Sequence, residues 1–504
     1  VSGDLWSAIA AVAARDPEAP ALIWSPASAA APDGVISQAQ LVQTARRAAA
    51  ALSALGVAPG DRVAVGLHNS PELVAALLGT IHLGAVYVPL NPAFTGDEAA
   101  YIAGDVDARV VIAHPALKSA LASVQPRLRD RVVETLPESR GGASGRPSAS
   151  AAAALIVYTS GTTGRPKGAV LSHRALQGNL GAITRAWEWT AADRLLLTLP
   201  CSHLHGLALG LLASFLAGSS VVLRPRFVAE DVPGDLERSA CTMFFGVPTM
   251  YNRLVQLPGD EIRRRNLDRM RLWACGSAPL LPTTFERFRA VFGATLLERF
   301  GMSEGGFMIA APYRGERRAG VVGLPVEGVE LRVVDEERIE RDELLDVAEG
   351  ASGELVVRGE NLFDGYWNDP TATRAAFVGG WFRTGDLAVR ESDGQLRIAG
   401  RRSADIIKSR GYKVSAVEIE DRMQSFPGVR EVAVVGVAHA DWGQEIVAVV
   451  APDPEHPPTA EELLARAREV LAAYKVPTRI EFTDEIPKVG PGKFRKNELV
   501  RLLT

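Results

Sequence analysis

Residues 157–168 read VYTSGTTGRPKG, a run of hydroxyls and glycines with one lysine, placed directly after an apolar segment. Its side chains and backbone amides could donate to the oxygens of a polyphosphate, with Lys167 adding a point charge. The common phosphate loop, G-x-x-x-x-G-K-[ST], does not fit: counting from Gly161, the sixth residue is Pro166, and Lys167 is followed by Gly168. By composition alone the segment reads more readily as a flexible polar connection after a strand. Whether it holds phosphate depends on what else the chain supplies.

The elements that must position such a loop are those of a layered α/β protein. RVAVGL, AVYVPL, ARVVIAH, LLLTLP and SVVLRP are short β-rich runs, separated by helix-period segments such as QLVQTARRAAAALSALG, SPELVAALLGTIHLG and RALQGNLGAITRAW. This alternation predicts mostly parallel sheets covered by helices. Further on, GVELRVVD, GELVVRG and WFRTGDLAVRESDGQLRIAGR predict strands joined by turns, in a small antiparallel sheet or barrel. Near residues 400–405 the pattern changes to helix, strand, turn, strand, then helix and strand again. That marks a C-terminal α+β domain of about 100 residues.

The 504 residues exceed what one core usually serves. The net charge of −4 gives no reason to expect nucleic acid or an anionic membrane as a bulk partner. Cys201, Cys241 and Cys275 lack metal or disulfide spacing and read as buried, reduced thiols in a cytoplasmic protein. The first twenty residues lack a basic region and carry Asp4 early, unlike a secretory signal. The apolar stretch 204–223 is broken by His205, glycines and serines, which predicts a buried helix followed by a strand. Residues 137–154 are rich in small residues and read as a surface loop.

The loop has company. ERFGMSE (298–304), WFRTGDLA (381–388), GRRSADIIKSRGYKVSAVEIE (400–420) and PKVGPGK (487–493) follow it in order. Together the five segments resemble the motif series of the adenylate-forming superfamily: acyl-CoA synthetases, luciferases and peptide-synthetase adenylation domains. The resemblance spans nearly the whole chain. It implies an N-terminal domain over 1–400 with the ATP and acyl pockets, a hinge at 401–405, and a small mobile lid domain over 406–504. It also implies two half-reactions. A carboxylate attacks the α-phosphate of ATP to give an acyl-adenylate and pyrophosphate, and a thiol, usually that of coenzyme A, then displaces AMP.

An anion approaching a polyanion needs cations and aimed donors. By resemblance, Lys493 bridges the carboxylate and α-phosphate, Ser303 contacts the α-phosphate, and Glu304 holds Mg²⁺, with Thr163 as a further ligand. Thr159, Ser160, Gly161, Thr162, Thr163, Gly164 and Lys167 cradle the pyrophosphate end. Phe300 stacks on adenine, flanked by Gly301 and Met302, and Gly276, Ser277, Ala278 and Pro279 form the opposite wall. Asp386 accepts from the ribose, and Arg401 or its neighbour Arg402 reaches the nucleotide. Asp405 is the hinge residue, with Ala404 or Ser403 as alternatives. Lys408, Arg410, Gly411, Tyr412 and Lys413 line the path of coenzyme A.

The acid is read from other positions. Amino-acid-activating relatives place an Asp in the stretch corresponding to CTMFFGVPTMY (241–251), which here has no carboxylate. Arg299 precedes the adenine platform, where the family's side chains face the acyl pocket. An arginine there is costly beside a fatty chain but suits a second carboxylate. His205 matches a position that flanks the acyl group. A small dicarboxylic acid is the expected substrate, although Arg299 could instead pair with Glu298, and His205 could pack in the core. LLERFGMSE and the hinge segment resemble malonyl-CoA synthetases in particular. Gly305 and Gly306 would leave room for an α-methyl group, so methylmalonate is expected alongside malonate. The alternatives are a ligase for a fatty, aryl or short-chain acid, a carrier-protein thiol as acceptor, and a non-catalytic nucleotide-binding module.

Overall fold

Three residues standing just before neighbouring parallel strands share one partly buried network. Asp193 precedes strand Arg194–Leu197, Thr242 precedes Met243–Gly246, and Arg271 precedes Leu272–Cys275. Arg271 donates to both Asp193 oxygens at 2.6 and 2.7 Å, and Thr242 Oγ1 and the Thr190 amide each add a bond at 2.8 Å. Burial pushes the Asp193 carboxyl up, but these hydrogen bonds outweigh it and hold the group below its ordinary value. The network aligns the N-terminal ends of strands whose C-terminal ends carry the candidate site.

The structure, a computed structural model, describes residues 4–24, 34–124, 130–137, 149, 151–159, 166–401, 405–409, 412–439, 442–471, 475–489 and 493–504. It is a mixed α/β fold with a large N-terminal part and a smaller C-terminal one. In one sheet, Pro20–Trp24, Ser220–Leu223, Arg194–Leu197, Met243–Gly246 and Leu272–Cys275 run parallel. Leu297–Met302 adds in parallel and then pairs antiparallel with Gly306–Ala310. From there the path continues antiparallel through Val321–Pro325, Leu396–Arg401, Trp381–Arg390, Ser352–Gly359 and Val329–Val334. The small antiparallel sheet expected from sequence is therefore continuous with the parallel one.

A second sheet holds Val132–Val133, Val110–Ala113, Arg62–Gly66, Val86–Pro89 and Ala153–Thr159 in parallel, then Lys167–Ser172 and Gly365–Tyr366 antiparallel. Its helices start where the sequence can cap them. Ser70 caps Pro71–Leu83, with Pro71 in the first turn and Gly84 closing the helix at φ +77°, and Ser172 caps His173–Ala186. The C-terminal part is its own sheet, Tyr412–Ser415, Ile406–Ser409, Gly443–Pro452 and Val429–His439, with Arg479–Phe482 at one side. Helices Ala416–Gln424 and Ala460–Val470 pack on it.

The three cysteines are buried and free. The stretch 204–223 is helical and then a strand, as expected, but its first part, His205–Leu212, is a π-helix that continues as Ala213–Ala217. Among the described residues no helix is long and apolar enough to cross a membrane. Asp193→Ala would leave Arg271 without its carboxylate. It should lower the unfolding free energy by about 3–5 kcal/mol, read as a lower urea midpoint at unchanged slope; an unchanged midpoint would show that the network does not hold the strands.

Candidate active site

The two N-terminal sheets meet at the turn after Leu297–Met302. Glu304 is buried there, and its carbonyl accepts the Phe363 amide at 2.7 Å. Asn361 donates to Gly305 O at 2.7 Å, and the Asn179 carboxamide brackets Phe307, donating to its carbonyl and accepting its amide at 2.8 Å each. Asn179 belongs to helix His173–Ala186, which follows the strand that leads out of the hydroxyl-rich loop. The chain that supplies the loop and the chain that supplies ERFGMSE are thus joined by side-chain amides.

On the loop's side, Thr159 and Lys167 are paired across the antiparallel strands that close it. Ser160, Gly161, Thr162, Thr163 and Gly164 lie outside the described residues. The base is braced on both flanks. The Tyr158 hydroxyl bonds Asp105, and burial followed by this bond pushes its phenol up. Tyr101 donates to Pro166 O at 3.1 Å, and the Trp367 amide to Gly168 O at 2.7 Å. Lys167 Nζ sits 5.3 Å from the centre of the Tyr366 ring, and Tyr366 donates to Glu304 Oε1 at 3.0 Å. One lysine, one phenol and one buried carboxylate therefore gather at the loop's exit. Among the described residues no group of three or more His, Cys, Asp or Glu could hold a metal. Glu304 offers one hard oxygen donor, which fits a Mg²⁺ that takes its remaining ligands from nucleotide phosphates and water.

The acid-binding candidates converge at the C-terminal ends of the parallel strands, where ligands bind in open α/β sheets. Arg299 is buried, and its Nη2 donates to Ser277 Oγ at 3.0 Å. Its guanidinium carbon lies 4.9 Å from the Phe307 ring centre, and its Nε has no hydrogen-bond partner. No described carboxylate lies within ion-pair distance of it. Glu298, the preceding residue on the strand, points the other way and accepts the Gly320 amide at 2.6 Å. Burial pushes Glu298 up to about 8, and burial lowers Arg299 to about 10. The pairing of Arg299 with Glu298 left open by the sequence is therefore not made.

Ser277 Oγ also lies 3.3 Å from His205 Nδ1. The hydroxyl accepts from Arg299, and in the tautomer in which it gives its own proton to Nδ1 the ring proton stands on Nε2, an atom buried without a partner. The His205 ring stacks on Phe245 at 6.3 Å. Burial, then Arg299 and His203, hold His205 well below its ordinary value. Two buried donor nitrogens, Arg299 Nε and His205 Nε2, thus lack acceptors around one exposed serine. Ser277 itself has φ +72°, a left-handed conformation that costs a non-glycine residue about 1–3 kcal/mol and concentrates at functional sites. Gly276 before it could be nothing else: a Cβ would stand 2.6 Å from Arg299 Nε.

The nucleotide candidates are grouped by register. Asp386 is buried and paired in the antiparallel ladder with Arg401, and its amide donates to Thr384 Oγ1 at 3.1 Å. Phe300, Gly301, Met302 and Ser303 follow Arg299, partly buried, with Ala278 and Pro279 on the neighbouring segment. In the C-terminal part, the Lys493 backbone pairs with Val489 in a short hairpin. Lys408 and Lys413 are paired across a second hairpin, whose Ser409 faces Tyr412; Arg410 and Gly411 lie outside the described residues. Asp405 accepts from Lys496 at 2.5 Å.

One sequence argument is corrected. Gly305 and Gly306 leave no room, because a Cβ on Gly305 would meet Met308 Sδ at 2.6 Å and one on Gly306, at φ +61°, would meet Asn179 Oδ1 at 2.4 Å. They are glycines so that the turn can lie against these side chains. Sequence reasoning also missed Asn179, Tyr366 and Lys496, none of which stands in the quoted loop and turn motifs; their signal is three-dimensional.

The charge state of His205 is testable. The folded protein refuses a proton that the unfolded chain accepts near 6.5, so this residue erodes stability as the pH falls below that value. Nitrogen NMR of the ligand-free protein at pH 6 should show the His205 ring neutral with its proton on Nε2; a doubly protonated ring would contradict the geometry.

Residues 9–367 match the family model described as AMP-binding enzyme, and 418–493 that of the AMP-binding enzyme C-terminal domain. The chain is 36% identical over 477 residues to the mitochondrial malonate–CoA ligase ACSF3 of Mus musculus, covering 88% of this chain and 82% of that one. It is 34% identical to the indoleacetate–CoA ligase of Aromatoleum aromaticum, covering 94% of each. The ATP-bound crystal structure of MatB from Rhodopseudomonas palustris superposes with a TM-score of 0.89 at 34% identity, covering 100% of this chain and 99% of that one. The chain belongs to the AMP-binding enzyme family and is an AMP-forming acyl-CoA ligase.

Proposed function

We propose that this ligase activates malonate: ATP converts it to malonyl-adenylate and pyrophosphate, and coenzyme A then takes the acyl group and releases AMP. The observation that carries the choice of acid is Arg299, a buried guanidinium with no described carboxylate partner, one donor unused, at the C-terminal ends of the parallel strands. Burying a charge without a partner is strongly unfavourable. A substrate bearing a second carboxylate supplies the partner, and Arg299 Nε with His205 Nε2 supplies its donors. Similarity to the malonate–CoA ligases and to MatB supports the same acid.

In this reading Lys167 and the hydroxyl loop hold the β- and γ-phosphates. Glu304 holds Mg²⁺, Ser303 meets the α-phosphate, and Asp386 with Arg401 meets the ribose. Lys493 bridges the attacking carboxylate and the α-phosphate. Lys408, Arg410, Gly411, Tyr412 and Lys413 serve coenzyme A. A boundary at 401–405 between the catalytic body and a mobile lid belongs to the same proposal; strands through Leu396–Arg401 lie in the N-terminal sheet and those from Ile406–Ser409 onward in another, which supports it. Methylmalonate is included on one ground. Met308, whose sulfur lies against Gly305, is unbranched and can repack around an added methyl.

The aromatic cluster of Trp187 and Trp189 against Phe245, whose other contact is the His205 ring, supports one second reading, an aryl acid, as in the similar indoleacetate–CoA ligase. AMP release with coenzyme A separates the two over acetate, malonate, methylmalonate, succinate, octanoate and indoleacetate. Malonate should give the highest kcat/KM. Arg299→Ala should lower kcat/KM for malonate about 10- to 100-fold, the loss of a charged hydrogen bond, and barely change acetate. Equal losses on malonate and acetate would remove the role of Arg299, and indoleacetate as best substrate would replace the reading.

A further inference from the structure

Lys496 lies three residues beyond Lys493 and by composition belongs to a basic tail, GKFRK. In the structure it is buried. It opens helix Lys496–Leu503, and its ammonium lies 2.5 Å from Asp405 Oδ1 and 2.7 Å from Glu420 Oε1. All three side chains are at most 16% exposed. Glu420 also accepts the amide of Val434, on the long strand Val429–His439, at 2.7 Å. Burial works against the charge on Lys496, but the two carboxylates outweigh it and raise the group above its ordinary value. The ammonium therefore joins three places: the start of the C-terminal part at Asp405, its first helix and long outer strand through Glu420, and the chain directly after the hairpin.

The adjacent residue fixes the hairpin itself. Arg495 donates its amide to Pro487 O at 2.8 Å and its Nε to Lys488 O at 3.0 Å, and Lys488 Nζ reaches Glu431 at 2.7 Å. The hairpin of Lys488–Val489 and Lys493–Phe494 is thus tied at its base, and that base is anchored by Lys496. Asp405 is held from the other side as well, since its carbonyl accepts the Ala416 amide at 2.8 Å.

We propose that Lys496 is a positioning residue of the ligase: by bridging Asp405 and Glu420 it makes Asp405, at the start of the C-terminal part, and the base of the Lys493 hairpin one rigid unit, so that Lys493 arrives at a fixed place when the C-terminal part docks. This rests on the reading of Lys493 given above. A misplacement of about 1 Å at a reacting group costs on the order of 100-fold in rate, so a residue that never touches substrate can govern the step through the hairpin.

The test uses Lys496→Met, Lys496→Arg, Asp405→Asn, the Lys496→Met/Asp405→Asn double variant and Lys493→Ala. Two readouts are taken: malonate-dependent exchange of labelled pyrophosphate into ATP, and amide hydrogen exchange. Lys496→Met should lower kcat for exchange between about 10- and 100-fold with KM for ATP within about twofold. It should also deprotect the amides of 405–409 and the hairpin while the N-terminal sheets keep their protection. Lys496→Arg, which keeps the charge, should recover most of both, and the double variant should lose no more than Lys496→Met alone. Unchanged hairpin protection and unchanged exchange in Lys496→Met would overturn the proposal, as would additive losses in the double variant. If Lys496→Met does not fold, Asp405→Asn decides by the same two readouts. If Lys493→Ala keeps full exchange, the reading of Lys493 fails, and the protection pattern still decides for Lys496.

Discussion

A guanidinium taken out of water with no described carboxylate beside it is the constraint around which this site is built. Arg299 is buried in a strand that joins a parallel sheet to an antiparallel one, with a serine hydroxyl and an aromatic face as its neighbours. Neither neutralises it. The surroundings accept unusual backbone to keep it there: a glycine where any side chain would strike the guanidinium, and a serine held in the left-handed region so that its hydroxyl reaches both Arg299 and His205. Such strain persists only where the structure over-determines it. The same arrangement keeps His205 neutral, first through its burial and then because a second cation beside Arg299 is disfavoured. In the proposed function the missing anion is the substrate's far carboxylate, and the two idle donors are its seat.

The rest of the N-terminal part brings the phosphate side to this charge. Parallel strands are aligned at their far ends by Asp193 and Arg271, so their near ends stand level. The second sheet delivers the hydroxyl-rich loop, and the amides of Asn179 and Asn361 fasten its chain to the turn that holds Glu304. In the proposed function acid and nucleotide are thereby met by residues one to five positions apart in sequence, Arg299 and then Phe300 to Glu304, on a single strand and turn. Orienting two anions on one rigid segment lowers the entropy cost of bringing them together.

Much of this was legible in the sequence, for identifiable reasons. Strands such as Arg62–Gly66 and Arg194–Leu197 are continuous apolar runs because both faces of a parallel sheet are covered. Helices such as Pro71–Leu83 carry their own start and stop signals. Arg299 and His205 were visible as polar residues in apolar or motif contexts, and the structure brings them together through Ser277. What was not legible depends on packing. The glycines at 305 and 306 looked like free space, yet the space belongs to Met308, three residues on, and to Asn179, from elsewhere in the chain. Ser277 looked like one small residue in a wall, and its bridging role follows from a backbone angle that no composition announces. Lys496 stood out in no motif because its partners, Asp405 and Glu420, are distant in sequence.

The central claim is that Arg299 waits for a second carboxylate. The most direct measurement is a crystal structure with a stable sulfamate analogue of malonyl-adenylate. The account predicts the free carboxylate within hydrogen-bond distance of Arg299 Nε, with His205 Nε2 as its second donor and the Ser277 contact retained. A free carboxylate turned toward solvent, with Arg299 still bonded to Ser277 alone, would contradict it.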